Sequence, residues 1–118
     1  MTSYYKQKNP FENREAESRR IRSRYPDRVP VIVENDPKDN QIPALDKVKY
    51  LVPNDLSMGQ FIYVIRKRIK LAPEKAMFVM INGTLPPTSM LIGQIFNDHH
   101  DEDGFLYATI AGESTFGA

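Results

Sequence analysis

The spacing of apolar residues along this chain changes several times, and each change marks an element. From Arg28 to Glu34 the run RVPVIVE is β-branched and almost continuously apolar, which predicts a strand covered on both faces. From Lys47 to Pro53 the pattern alternates. Val48, Tyr50 and Val52 share one face and Lys47, Lys49 and Leu51 the other, and Pro53, with no N–H to donate, points to an edge. Leu56 to Ile69 has helical spacing. Ser57 and Gln60 stand as a capping box, with Leu56 and Phe61 placed as the hydrophobic staple around it. Met58, Ile62, Ile65 and Ile69 then form the core stripe. Phe61 and Val64 are left beside it, as a binding surface or as a wider apolar face would leave them.

AMFVMI predicts a third strand, and Asn82-Gly83 suits a two-residue hairpin turn. A helix is expected from about Ser89 to His99, carrying Ile92, Ile95, Phe96 and His99, before DEDG breaks it and FLYATIAG supplies the last strand. Upstream, Ser3 to Lys8 predicts a short helix, and Pro10 opens a second one through FENREAESRRIRSRYP, where Glu15 sits four residues before Arg19. The apolar stripe of that second helix is thin: Phe11, Ala16, Ile21 and Tyr25. It is therefore expected to lie outside a core built by other elements, and Tyr25-Pro26 ends it.

The 118 residues suit one domain with a real core. The lack of cysteine excludes disulfides, thiol catalysis and thiolate metal sites, and fits a reducing compartment. No apolar run approaches the roughly 20 residues of a membrane span, and MTSYYKQKNP lacks the apolar centre of a signal peptide, so a cytoplasmic protein is expected. The net charge of +1 conceals an uneven layout. Residues 1–30 carry eight Lys/Arg and four Asp/Glu, 31–60 three and five, 61–90 five and one, and 91–118 none and five, giving +4, −2, +4 and −5. A dipolar surface follows, with basic helices and an acidic C-terminal part.

Local chemistry is sparse. His99 and His100 are adjacent, so on a helix they point about 100° apart and cannot share a metal as an i, i+4 pair would. Aligning Gly104 with the sixth position of a calcium loop puts His99 first and Ile110 twelfth, where carboxylates are needed. There is no glycine-rich phosphate loop, no local nucleophile–base pattern, and no aromatic RNP pattern for nucleic acid. No catalytic residue, metal or cofactor is expected.

The order helix, helix, strand, strand, helix, strand, helix, strand predicts an α+β fold, a ubiquitin-like β-grasp with two additional N-terminal helices. The expected division is a helical extension at 1–26, a β-grasp core at 27–112 and a flexible tail at 113–118. The stretches PFENREAESRRIRSRYPDRVPVIVE, KYLVPNDLSMGQFIYVIRKRI, TLPPTS and DEDGFLY closely resemble the autophagy ubiquitin-like modifiers, which include the GABA-receptor-associated protein and the microtubule-associated light chain three proteins. The resemblance covers nearly the whole chain. It implies that a cysteine protease cuts between Gly117 and Ala118, with Phe116 as a recognition handle. Activating and conjugating enzymes would then join Gly117 to phosphatidylethanolamine. Glycine suits this chemistry because a residue without Cβ threads a narrow channel and leaves its carbonyl open to a thiolate or amine.

The resemblance also implies capture of aromatic-x-x-aliphatic peptides from cargo receptors and adaptors, added as a strand along Lys47 to Pro53. Its aromatic pocket maps onto Glu17, Ile21, Pro30, Ile32, Lys49, Leu51 and Phe105. Its aliphatic pocket maps onto Tyr50, Val52, Pro53, Leu56, Phe61 and Val64, and Arg28, Lys47 and Arg68 fall on the rim, where acidic peptide flanks would meet them. The implied locations are cytoplasm, autophagosome membrane, and vacuole or lysosome on delivery, with microtubules as a further partner. The rival reading is an unlipidated β-grasp adaptor that binds cytoskeletal or receptor proteins.

Overall fold

The computed structural model describes residues 3–113. Its elements are α1 (Tyr4–Lys8), α2 (Phe11–Arg24), β1 (Arg28–Asn35), β2 (Lys49–Pro53), α3 (Met58–Ile69), β3 (Phe78–Met80), α4 (Ile92–His99) and β4 (Leu106–Ala111). The strands form one sheet in the order β2-β1-β4-β3. β1 and β4 run parallel in the middle, with β2 and β3 antiparallel at the two edges.

The continuous apolar run of β1 is explained by its central position. Val29, Val31 and Val33 enter the main core with α3 and α4, while Pro30 and Ile32 are buried against the opposite side of the sheet. The same alternation places Leu106, Ala108 and Ile110 of β4 in the main core and leaves buried Phe105 out of it. β2 alternates as expected, with Tyr50 and Val52 in the core and Lys49 and Leu51 half-buried on the other face.

The capping box forms, with Ser57 Oγ accepting from the Gln60 N–H at 3.2 Å and Gln60 Oε1 accepting from the Ser57 N–H at 2.9 Å. The face that α3 buries differs from the expected stripe. Met58, Phe61 and Ile65 are its buried positions, whereas Ile62 and Ile69 only pack against the core from its margin. Phe61, 1% exposed, is thus a core residue, and of the two leftover residues only Val64, 45% exposed, faces outward. Phe61 meets the Tyr50 ring of β2 edge-on at 5.8 Å, and Leu56 packs against the same core just before the cap.

The last helix begins three residues later than expected, at Ile92. Residues 88–91 form a turn and a bridge instead: the Met90 N–H donates to the Pro87 carbonyl at 3.0 Å, the Thr88 and Met90 carbonyls accept from the Gly59 and Met58 N–H groups at 2.9 and 2.8 Å, and Leu91 bridges Ser57. Tertiary pairing with the start of α3 thus overrides the local helical pattern. The Asn82-Gly83 turn is present, both residues with positive φ (50° and 75°) between the paired Ile81 and Thr84.

α2 lies outside the main core, as its thin stripe predicts, but it does not dock through that stripe. Phe11, Ala16 and Tyr25 are exposed, and its buried positions are Arg14 and Ser18, one turn apart. Both reach Asp103. Its side chain accepts from Arg14 Nε at 2.8 Å, from the Tyr107 hydroxyl at 2.5 Å and from the Phe105 N–H at 2.9 Å, and Ser18 Oγ donates to its carbonyl. Arg14 Nη1 also donates to the Asn9 carbonyl at 2.5 Å, fixing the junction of α1 with α2. Lys6 pairs with Asp101 at 2.5 Å. The basic first block of the sequence is therefore bound to the acidic last block through DEDG, a stretch that sequence pattern alone reads as a helix-breaking turn. Gly104 is needed there: its φ is +91°, and a Cβ would collide with Ser18 Oγ.

Asp103 is 0% exposed, so removing its charge strands a buried guanidinium. Asp103→Ala is expected to cost about 3–5 kcal/mol in chemical denaturation. Hydrogen exchange should accelerate first in α1 and α2.

Candidate functional site

β2 has β1 on one side only, and its other edge is open. The register with β1 determines what that edge presents. Val33 N–H donates to the Val48 carbonyl at 2.8 Å, and Asn54 N–H to the Asp27 carbonyl at 3.0 Å. Bonded and non-bonded pairs alternate along an antiparallel ladder, so Val31–Tyr50 and Val29–Val52 are the bonded pairs between them. Lys49 and Leu51 then direct their N–H and C=O groups outward. Pro53, without a donor, ends the ladder.

Side chains flank this edge on both faces of the sheet. On the face under α2 lie Glu17 and Ile21 of α2, Pro30 and Ile32 of β1, Lys49 and Leu51 of β2, and Phe105 just before β4. Ile32 and Phe105 are fully buried, whereas Ile21, Lys49, Leu51 and Glu17 are half-buried and form the accessible wall. On the core face lie Tyr50, Val52 and Phe61, with Leu56 packed at the margin and Val64 on α3, whereas Pro53 falls in step with Lys49 and Leu51. Tyr50, Val52 and Phe61 are buried, Pro53 and Leu56 half-buried and Val64 exposed. The first candidate set thus shares the face under α2, and the second is divided between the core, its margin and exposed α3. Their burial differs enough to separate roles: Phe61→Ala would cost about 3–5 kcal/mol of folding stability, whereas Leu51 and Val64 can be truncated with little loss of core.

The charged residues are not free. Lys49 Nζ pairs with Glu17, whose other carboxylate oxygen accepts from the Tyr5 hydroxyl at 2.9 Å. The Tyr5 ring meets Phe105 edge-on at 5.8 Å and carries the Lys49 ammonium 5.6 Å above its centroid. Partial burial alone would raise the Glu17 carboxyl, but the hydrogen bonds from Lys49 and Tyr5 and the Lys49 charge outweigh it and hold the group below the ordinary glutamate range. Burial likewise opposes the Lys49 charge, and Glu17 more than offsets it, so Lys49 titrates above its ordinary value. Among the rim residues, Arg68 engages Asp46 at 3.2 and 3.3 Å, Lys47 Nζ sits 4.8 Å above the Tyr50 ring, and Arg28 is exposed, with one long contact of 3.5 Å to the Leu51 carbonyl. Tyr5, which the sequence pattern did not single out, joins this cluster through Glu17, Lys49 and Phe105. Its only signal was membership of the short first helix. Phe116, Gly117 and Ala118 lie outside the described residues.

A mixed sheet with a parallel central pair, one long helix packed across it and an open outer strand flanked by apolar side chains defines a ubiquitin-like β-grasp protein. Comparisons narrow this further. A family model described as "Autophagy protein Atg8 ubiquitin like" matches residues 13–117. Autophagy-related protein 8e of Arabidopsis thaliana is 58% identical over 116 residues, covering 98% of this chain and 94% of that protein. Autophagy-related protein 8 of Emericella nidulans is 57% identical over 117 residues, covering 99% and 98%. The crystal structure of Trypanosoma brucei ATG8 superposes with a TM-score of 0.90 at 43% identity, covering 96% of this chain and 97% of that one. The chain belongs to the Atg8 family of autophagy ubiquitin-like proteins.

The depressed Glu17 group makes a pH prediction. Because its folded pKa lies below its unfolded one, its contribution to stability is full above the unfolded value and is lost as pH falls through the folded one. Carboxyl chemical shifts should show Glu17 titrating below ordinary glutamates, and Lys49→Ala should move it upward.

Proposed function

We propose that this chain is a non-enzymatic ubiquitin-like modifier of autophagy, and that the open β2 edge captures aromatic-x-x-aliphatic peptides of cargo receptors and adaptors. The observation that carries this reading is the pairing of the outward backbone groups of Lys49 and Leu51 with half-exposed apolar side chains on both faces of the same strand. An extended peptide meets its backbone requirement on the strand and sends alternate side chains to opposite faces. Residues three apart fall on opposite faces, so the aromatic one enters beside Ile21, Lys49 and Leu51, and the aliphatic one beside Leu56 and Val64. Arg28 and Lys47 supply positive charge at the rim for acidic flanks, which favours fast association more than tight binding.

In this reading a cysteine protease removes Ala118, and the Gly117 carboxylate passes through activating and conjugating enzymes to the amine of phosphatidylethanolamine. The modifier then ties receptors to the autophagosome membrane, supports membrane expansion and is carried to the vacuole or lysosome. The support for these steps is family membership and the match of Gly117 to the family's conjugated glycine.

Leu51→Ala is expected to weaken a Trp-x-x-Leu peptide about tenfold by calorimetry, in line with truncating one central contact, while the melting temperature changes little. Unchanged affinity would overturn the peptide-edge assignment. Intact mass from autophagy-competent cells under starvation should show loss of Ala118 and gain of a phospholipid, both abolished by Gly117→Ala. A full-length, unmodified species would favour the unlipidated adaptor.

A further inference from the structure

Tyr50 carries a polar atom that the fold leaves without a partner. The residue is 6% exposed, and among the described residues no protein group hydrogen-bonds its buried hydroxyl. Folded proteins rarely tolerate this, because a buried hydroxyl loses its bonds to water and regains nothing. The rest of the side chain is well placed: its ring meets Phe61 edge-on at 5.8 Å, and Lys47 Nζ covers its face at 4.8 Å. The ring is therefore satisfied as an apolar wall, and phenylalanine would serve as well. Burial pushes the hydroxyl pKa up, so the group remains a neutral donor at working pH.

Its position gives the orphaned group a use. Tyr50 lies on β2 between Lys49 and Leu51, whose backbone groups face the open edge, and its side chain stands on the face assigned to the aliphatic residue of a bound peptide. Lys47 Nζ lies over the Tyr50 ring, and Lys47 and Asp46, which pairs with Arg68, stand just before β2 in the chain. Lys47, the group over that ring, is a long, exposed side chain that a peptide can displace at little cost. Asn54 Oδ1 is also buried and unpartnered, but Asn54 packs against Gly93 of α4 and lies beyond the end of the ladder.

We propose that the Tyr50 hydroxyl is a specificity-determining donor, held unpaired in the free protein and satisfied by a hydrogen-bond acceptor that the bound peptide carries beside its aliphatic residue. The inference rests on the peptide-edge reading above and adds a polar requirement to a pocket otherwise lined by apolar groups. A site built to donate one hydrogen bond discriminates against ligands lacking the acceptor more sharply than apolar contact can.

The decisive variant is Tyr50→Phe, which removes the hydroxyl and keeps the ring. A synthetic peptide with Trp, Leu three positions later and an acidic N-terminal flank is titrated into wild type, Tyr50→Phe and Leu51→Ala, and each free protein is melted. The expected result is opposite in sign for the two readouts. Tyr50→Phe melts at the same temperature or higher, because an unpaired buried group is gone, yet binds about fivefold more weakly, the worth of one net hydrogen bond. By NMR the Tyr50 hydroxyl proton should exchange slowly in the complex and not in the free protein. A fall in melting temperature would show that the hydroxyl already has a partner and would overturn the proposal. So would a peptide affinity within twofold of wild type while Leu51→Ala weakens binding, a result that leaves the peptide-edge reading standing. Failure of the wild type to bind the peptide overturns both.

Discussion

The two-layered character of this molecule depends on one buried carboxylate. Asp103 receives Arg14 from α2, the Tyr107 hydroxyl from β4 and the Phe105 N–H, while its carbonyl takes the Ser18 hydroxyl. A charge of this kind is costly to bury and repays the cost only when it is well paired; here the carboxylate accepts three hydrogen bonds, one of them from a guanidinium. Its effect is directional. It fixes α2 over the face of the sheet opposite α3, and so creates a second, smaller apolar layer over Ile32 and Phe105. Without that layer the outer face of β1 and β2 would be a wet sheet surface with no pocket on it.

The central pair β1–β4 is covered on both faces, so side chains along β1 are divided by parity between two layers. β2 inherits the same parity through its register with β1. An edge strand in such a sheet offers a backbone ladder and two distinct side-chain environments at once. Lys49 and Leu51 belong to the layer under α2, and Tyr50 and Val52 to the layer under α3. Open edges are usually protected against unwanted pairing. Here the protection is modest: a short strand, Pro53 at its end, and lysines at 47 and 49. Those features limit edge-to-edge association between copies while leaving room for one extended segment.

The ion pair between Glu17 and Lys49 ties helix to sheet. It joins α2 to β2 across the aromatic pocket, and Tyr5 brings α1 into the same cluster. None of the residues of α1 is buried, so its position depends on polar contacts: Ser3 and the Tyr5 N–H on Glu34 at 2.6 and 2.8 Å, Tyr5 on Glu17 and Lys6 on Asp101. The pocket wall and the placement of the first helix therefore share one set of charges.

Much of this could be read from local pattern. Alternation placed Tyr50 and Val52 opposite Lys49 and Leu51, the capping box set the start of α3, and Asn82-Gly83 marked the hairpin, because period, capping and turn chemistry are properties of neighbours in sequence; the other candidate site residues came from the family resemblance alone. Three features were decided elsewhere. Phe61 is core because the face that α3 turns inward is set by packing on residues distant in sequence, Tyr50 among them. Residues 88–91 stay out of α4, in a turn and a bridge, because the start of α3 takes the Thr88 and Met90 carbonyls. α2 docks through Arg14 and Ser18 because their partner, Asp103, lies some ninety residues away. The imbalance between a basic first block and an acidic last one was visible in the sequence, but which cation meets which carboxylate depends on the order of strands in the sheet. Local interactions specify the elements, and contacts between residues distant in sequence exist only once the chain has closed.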